Sequence, residues 1–355
     1  MINRLDRRLF VKSIRNMRNA MMTHINRRAG REFIPGSRTA LSIETSSICN
    51  LDCCFCAYPK KQSPRVVMSD DFFQNCVLQA LELGYNQFDM TPCTGDVFMD
   101  RHLFNKLKFL ERDERVNSYG FFTNFTIPKG SHIEALHEFK KMNGLAISIY
   151  GHDVASFKDI TRATEVVYFR LVRNLELLLR MKEKHQLRLS FIFHTGADSL
   201  RGRSSELITI LDRFKQAGST VSIQKGLYNN WGGNVTTDDV KHLPIKIIGS
   251  DVVHKNGACV RLFTAIQIMA SGIVNGCACR DVDATLRLGD LHQMPLKDIV
   301  SARNPAYMAV IEEQQNGMFR PVCRSCDVYT SIYYKSQSYA GTQLQTLKQF
   351  KASLP

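Results

Sequence analysis

The sequence predicts an α/β protein built on a parallel sheet. β-rich runs and amphipathic helical stretches alternate six times between residues 40 and 225. Serines at 69 and 205 stand at the starts of helical patterns, where an N-cap is wanted, and Gly84, Gly144 and Gly218 stand where helices should end. Repeated strand–helix units of this kind give parallel strands joined by right-handed crossovers.

The leader comes first. Residues 1–38 hold ten Lys or Arg against Asp6 and Glu32, a surplus of +8. Phe10, Ile14, Met17, Met21 and Ile25 recur at helical spacing, so the leader reads as a basic amphipathic helix. Such a helix suits an anionic membrane surface or a nucleic acid, or it packs across the main domain with its basic face in water.

Strand-like runs follow at Ala40–Thr45, Gln87–Thr91, Tyr119–Asn124, Leu145–Tyr150, Leu187–His194 and Thr220–Lys225. Helical patterns lie between them at Asp70–Leu83, His102–Glu111, His132–Lys141, Val166–Lys184 and Ser205–Gln216. An irregular linker spans 227–258, rich in Asn and Gly, and a tail helix is expected within 331–355.

The first β-rich run leads into Cys49-Asn50-Leu51-Asp52-Cys53-Cys54-Phe55-Cys56, which places thiols in a C-x3-C-x2-C pattern. A zinc site wants four protein ligands and none follows nearby. A disulfide does not suit a chain with eleven cysteines and the cytoplasm as its default compartment. A 4Fe–4S cluster on three thiolates fits better and leaves one iron without a protein ligand.

This pattern, with the aromatic Phe55 before its last cysteine, resembles the signature of the radical S-adenosylmethionine (SAM) enzymes. The resemblance implies a partial (β/α)6 barrel over residues 39–226. It implies that Cys49, Cys53 and Cys56 ligate a 4Fe–4S cluster whose open iron chelates SAM, and that SAM is cleaved to a 5'-deoxyadenosyl radical. Cys54 is then a spare buried thiol. Ligands gather at the carboxyl ends of the strands in such a fold. Gly95 and Asp96 stand where the family carries its amino-group-binding loop, although Thr94 and Val97 depart from that loop's pattern. Thr123, Asn124, Ser148, Gly151 and Arg162 stand where the family contacts the SAM ribose and carboxylate, with Tyr150 in a place where Asp is common. The ends of the last two strands offer His194 and Lys225 as substrate contacts, each with a structural reading beside it. Glu44 suits either the substrate or the cysteine loop.

A second cysteine region holds Cys259, Cys277, Cys279, Cys323 and Cys326, with a β-hairpin turning at Ser271-Gly272 and a helical stretch over Ala306–Gln315. Spacing leaves a structural zinc and a 4Fe–4S cluster both open. The region is similar to the twitch form of the SPASM extension. That implies one auxiliary 4Fe–4S cluster on Cys259, Cys277, Cys323 and Cys326, in a small hairpin-and-helix domain over 259–330. Cys279 is left over as a buried spare, an alternative ligand or a hydrogen donor to a substrate radical. Cys93 is a second donor candidate, and Cys76 reads as core.

A chain of 355 residues, 44% hydrophobic and 23% charged, is long enough for a large domain and a smaller one. Its formal net charge is +14. No apolar run approaches the ~20 residues of a membrane span. The expected activity is radical dehydrogenation of a hydroxylated small molecule, a sugar or cyclitol, with flavodoxin or ferredoxin as electron donor. The alternatives are a redox-neutral epimerase or peptide-modifying enzyme and a zinc-stapled nucleic-acid-binding protein. For the last, the chain shows no aromatic platform or reading motif.

Overall fold

The structure is a computed structural model that describes residues 4–36, 39–197, 199–250 and 253–355. The two ends of the expected leader, residues 1–3 and 37–38, and two linker residues, 251 and 252, lie outside the described residues.

The six expected strands form as β1 (Ala40–Ile43), β2 (Gln87–Asp89), β3 (Ser118–Thr123), β4 (Met142–Tyr150), β5 (Leu189–His194) and β6 (Thr220–Gln224). They pair in that order, all parallel. β4 is buried on both faces from Leu145 to Ile149, as a central parallel strand should be. β6 ends the row and is half open, with Ile223 exposed.

Helix α1 (Arg4–Arg28) precedes the sheet. The crossovers are α2 (Asp70–Glu82), α3 (Leu103–Arg112), α4 (Gly130–Ala135), α5 (Val154–Thr161), α6 (Glu165–Lys184) and α7 (Glu206–Gln216). Ser69 and Ser205 cap α2 and α7 as expected, accepting from Phe72 N and Ile208 N. The helix expected over His132–Lys141 stops early. The Glu111 carboxylate takes the amide protons of Lys140 and Lys141, which would otherwise continue the helical ladder. α5 was not expected; its signal is the capping pair Asp153 and Ser156, each side chain accepting from the other's backbone N–H.

Gly84 and Gly218 adopt positive φ after α2 and α7. Gly144 is a correction, because it lies inside β4 rather than at a helix end. It pairs with Gly120 on β3, where a Cβ would meet the Gly144 carbonyl oxygen at 2.7 Å, so two strands approach closely there.

The hairpin forms as β7 (Gln267–Ile268) and β8 (Ile273–Asn275), turning at Gly272 with φ +87°, and is followed by β9 (Arg287–Asp290). β7 pairs parallel to β1, so among the described residues nine strands make one sheet in the order β9-β8-β7-β1-β2-β3-β4-β5-β6. The hairpin therefore continues the main sheet. Buried Glu44, just past β1, locks this junction by accepting from Ala270 N at 3.0 Å. Helix α8 (Pro305–Gln315) covers β9, and α9 (Pro321–Ser325) carries Cys323. The tail is helical only as α10 (Leu347–Ala352), and Leu344–Gln345 pairs with Ile34–Pro35. No described helix is long and apolar enough to cross a membrane.

Candidate active site

The cysteine loop leaves the end of β1 and is tied on several sides. Asp52 N and Cys54 N donate to Thr161 O and Ile160 O at the end of α5, at 3.1 and 2.8 Å. Cys56 N turns back onto Cys53 O. Asn50 is bonded to Asn124 and Thr126 beyond β3, and the Asn124 amide lies 3.9 Å from Cys49 Sγ. Burial pushes the Cys49 thiol up to about 12 and the Cys56 thiol to about 11, and each thiolate charge would raise the others. Three thiols on one short loop, Cys53 buried and Cys49 and Cys56 half-buried, with Tyr58 N directed at Cys56 Sγ, stay ionised together only with cationic charge between them. A 4Fe–4S cluster fits that requirement.

Beside this loop, Gly95 holds φ +144°, and a Cβ there would meet Ser46 O at 2.6 Å. The close approach places Asp96 against the end of β3. Its carboxylate accepts from Phe98 N (3.0 Å), Thr123 Oγ1 (2.9 Å) and Asn124 N (2.7 Å). Burial, opposed by those bonds, raises its pKa to about 6.

A cavity of about 390 Å³ opens over the strand ends. Of the residues expected at a cofactor or substrate site, Cys49, Cys53, Phe55, Cys56, Cys93, Gly95, Asp96, Thr123, Asn124, Ser148 and His194 line it. Three do not. Arg162 caps α5 in the left-handed region at φ +58° and acts electrostatically on Cys54, which does not line the cavity either. Lys225 offers its carbonyl to Arg8 of α1. Cys279 lines a separate cavity.

An aromatic group runs from the loop across the strand ends. Phe55 packs on Tyr228 and His194 with centroids 4.7 and 5.4 Å apart, and Tyr150 stacks on His194 at 5.2 Å. Burial lowers the His194 pKa to about 4, so the ring is neutral, and its Nδ1 has no partner.

The second cavity is lined by Cys259, Cys277, Cys279, Cys323 and Cys326. Buried Gln314 of α8 spans it, accepting from Cys259 N at 2.7 Å and donating to Cys323 Sγ at 3.2 Å. Cys279 N and Val328 N point at the sulfurs of Cys277 and Cys326, both at 3.4 Å. Backbone donors aimed at thiol sulfur are what an iron–sulfur cluster takes from its surroundings. Among the described residues no three Cys, His, Asp or Glu groups are gathered tightly enough for one metal ion, and a four-iron cluster holds its thiolates wider apart than a single ion does. The linker residues pack here: Asn230 donates to Ser325 O, and Cβ atoms on Gly232 or Gly233 would strike Val322 or Ser325.

Several cavity residues had no signal in the sequence. Asp327 follows Cys326 directly, is buried, and has both carboxylate oxygens without a partner. Val328 lines both cavities. Lys12 reaches the first cavity from α1, and Asn229 and Trp231 from the linker. Only the position of Asp327 beside a cysteine could have drawn notice.

Residues 259–327 match the SPASM family, described as an iron-sulfur cluster-binding domain. No curated protein matches the chain. Among solved structures, BtrN in complex with AdoMet and 2-DOIA is similar at 13% identity, over 83% of this chain and 94% of that one, with a TM-score of 0.51. Streptococcus suis SuiB bound to precursor peptide SuiA is similar at 14% identity, over 86% of this chain and 76% of that one, with a TM-score of 0.52. The same enzyme bound to S-adenosylmethionine gives 14% identity, over 84% and 76% of the two chains, and a TM-score of 0.51. At these identities the likeness is one of fold. The fold, the SPASM segment and the two cysteine sites support a radical SAM enzyme with an auxiliary cluster domain, using 4Fe–4S clusters and SAM.

Proposed function

We propose that this chain is a radical SAM dehydrogenase acting on a hydroxylated small molecule, a sugar or cyclitol. The observation that carries the reading is Val328, which lines both the cavity beside Cys49, Cys53 and Cys56 and the cavity of Cys259, Cys277, Cys323 and Cys326. With clusters and SAM bound, the first site supplies a 5'-deoxyadenosyl radical that takes a hydrogen atom, and the second supplies an acceptor for the remaining electron. A reduced flavodoxin or ferredoxin is the donor that starts each turnover.

The chain's own residues do the rest. Cys49, Cys53 and Cys56 hold one cluster, and Cys259, Cys277, Cys323 and Cys326 the other. Asp96, Thr123, Asn124 and Ser148 line the side on which SAM would be oriented. Neutral His194 offers an unpartnered Nδ1 to a substrate hydroxyl. Asp327 accepts a hydrogen bond from a second hydroxyl or an amino group, and takes the hydroxyl proton when the carbon is oxidised. The chain spans 94% of BtrN, whose structure holds 2-DOIA, and 76% of peptide-bound SuiB, which supports a small substrate.

A second reading is favoured by one residue. Cys93 lines the cavity while Cys279 does not, so a redox-neutral epimerisation would use Cys93 as hydrogen donor. Anaerobic turnover of an aminocyclitol and sugar panel in deuterated buffer decides between the two. Dehydrogenation gives 5'-deoxyadenosine and a product lighter by two hydrogens. A product of unchanged oxidation level carrying solvent deuterium overturns it in favour of epimerisation.

A further inference from the structure

Helix α1 is turned the opposite way from the usual surface helix. Its inward side carries Arg8, Lys12, Asn16, Asn19, Thr23 and Asn26, all buried or half-buried. Arg8 donates to Lys225 O at 2.8 Å and Asn26 to Tyr333 O at 3.0 Å, so the polar side ties the helix to the end of β6 and to the C-terminal tail. The apolar stripe of Phe10, Ile14, Met17, Met21 and Ile25 points away from the protein, with Phe10 65% and Met17 71% exposed. At about 100° per residue these two sets fall on opposite sides of the helix.

We propose that this outward stripe is a docking surface for an anionic lipid bilayer. From Arg7 to Arg28 the helix carries seven Lys or Arg and no Asp or Glu. Arg7 and Arg18 are exposed and make no ion pair among the described residues, and each lies on or beside the stripe on the helical wheel. A lipid headgroup layer supplies apolar depth and negative charge at one surface, which is the pairing this helix presents. A second copy of the chain does not, because joining two stripes would bring two arginine rows together with Asp6 as the one acid of each helix. Lying flat, the helix would keep its inward contacts, so docking needs no unfolding.

Flotation of the full-length, cluster-loaded protein with vesicles tests this. Binding is expected to phosphatidylglycerol–phosphatidylcholine vesicles, with little to phosphatidylcholine alone, and it weakens as salt rises. The variant Phe10→Gln, Ile14→Gln, Met17→Gln should lose about ten-fold or more in partitioning. Its melting temperature should hold, since those side chains are exposed. Arg7→Gln with Arg18→Gln should lose about ten-fold and flatten the salt dependence. That second variant keeps the apolar stripe, so it serves even if the first fails to fold. The proposal is overturned if the wild-type protein does not float with anionic vesicles, or if either variant binds as the wild type does. It is equally overturned if the stripe variant abolishes a dimer, or capture of one protein, in a wild-type chain that ignores vesicles.

Discussion

Asp96→Asn separates the stability of the site from its affinity for SAM. The Asp96 carboxylate accepts from two backbone amides, Phe98 N on Oδ1 and Asn124 N on Oδ2. An asparagine amide must turn its NH2 toward one of them, which leaves a buried N–H unpaired at a cost of about 1–3 kcal/mol. Against this, removal of the charge relieves its burial. The displacement of the carboxyl from 3.8 to about 6 corresponds to about 3 kcal/mol, because the group is fully buried. The two effects nearly cancel at neutral pH, so Asp96→Asn should unfold within about 2 kcal/mol of wild type.

The sign with pH follows from the raised value. Between about 4 and about 6 the folded state holds a proton that the unfolded chain has released. The stability of the wild type relative to Asp96→Asn should therefore fall as pH rises through that window and stay level above it. SAM binding should respond differently. With SAM placed against Asp96 as proposed, loss of one charge-assisted hydrogen bond to its ammonium should cost about 1.5–3 kcal/mol, roughly ten- to hundred-fold in affinity. The assays are thermal unfolding across pH and SAM binding to anaerobically reconstituted protein. An Asp96→Asn protein that binds SAM as tightly as wild type refutes the assignment.

Three further outcomes are expected. Gly151→Ala places a Cβ 2.4 Å from Phe157 N at φ +76°, pushing on α5, whose end holds the cysteine loop; calorimetry should show a loss of about 2–4 kcal/mol, with lower iron content. Gln314→Ala leaves Cys259 N without its acceptor and Cys323 Sγ without its donor. It should cost about 1–3 kcal/mol and move the potential of the auxiliary cluster in a redox titration, with the SAM-side cluster unchanged. Cys93→Ala should leave dehydrogenation running, and a complete loss of product formation would instead mark Cys93 as the hydrogen donor of an epimerase.

The zinc-stapled nucleic-acid reading ends with the SPASM match over residues 259–327, since the matched family binds iron–sulfur clusters. The leader is where the expectation and the structure differ most. Its amphipathic pattern is present, yet the stripe that a globular helix would bury faces outward. The inward side finds polar partners at Lys225 and Tyr333 instead.

What the sequence determined by itself is whatever depends on short spacing. Three thiols within eight residues, serine caps, glycines at helix ends and six strand–helix alternations each act over one turn or one strand, and they set the cysteine loop and the parallel sheet. Only the tertiary structure decided which distant groups meet. It joined β7 to β1, extending the main sheet through the auxiliary segment. It put Cys93 on the cavity and Cys279 outside it, kept Arg162 off the cavity, and left Asp327 buried without a hydrogen-bond partner beside Val328, which lines both cavities. The reason is physical: the direction in which a side chain points at a strand end or helix cap is fixed by strand register and packing, and those are set by contacts hundreds of residues apart in the chain.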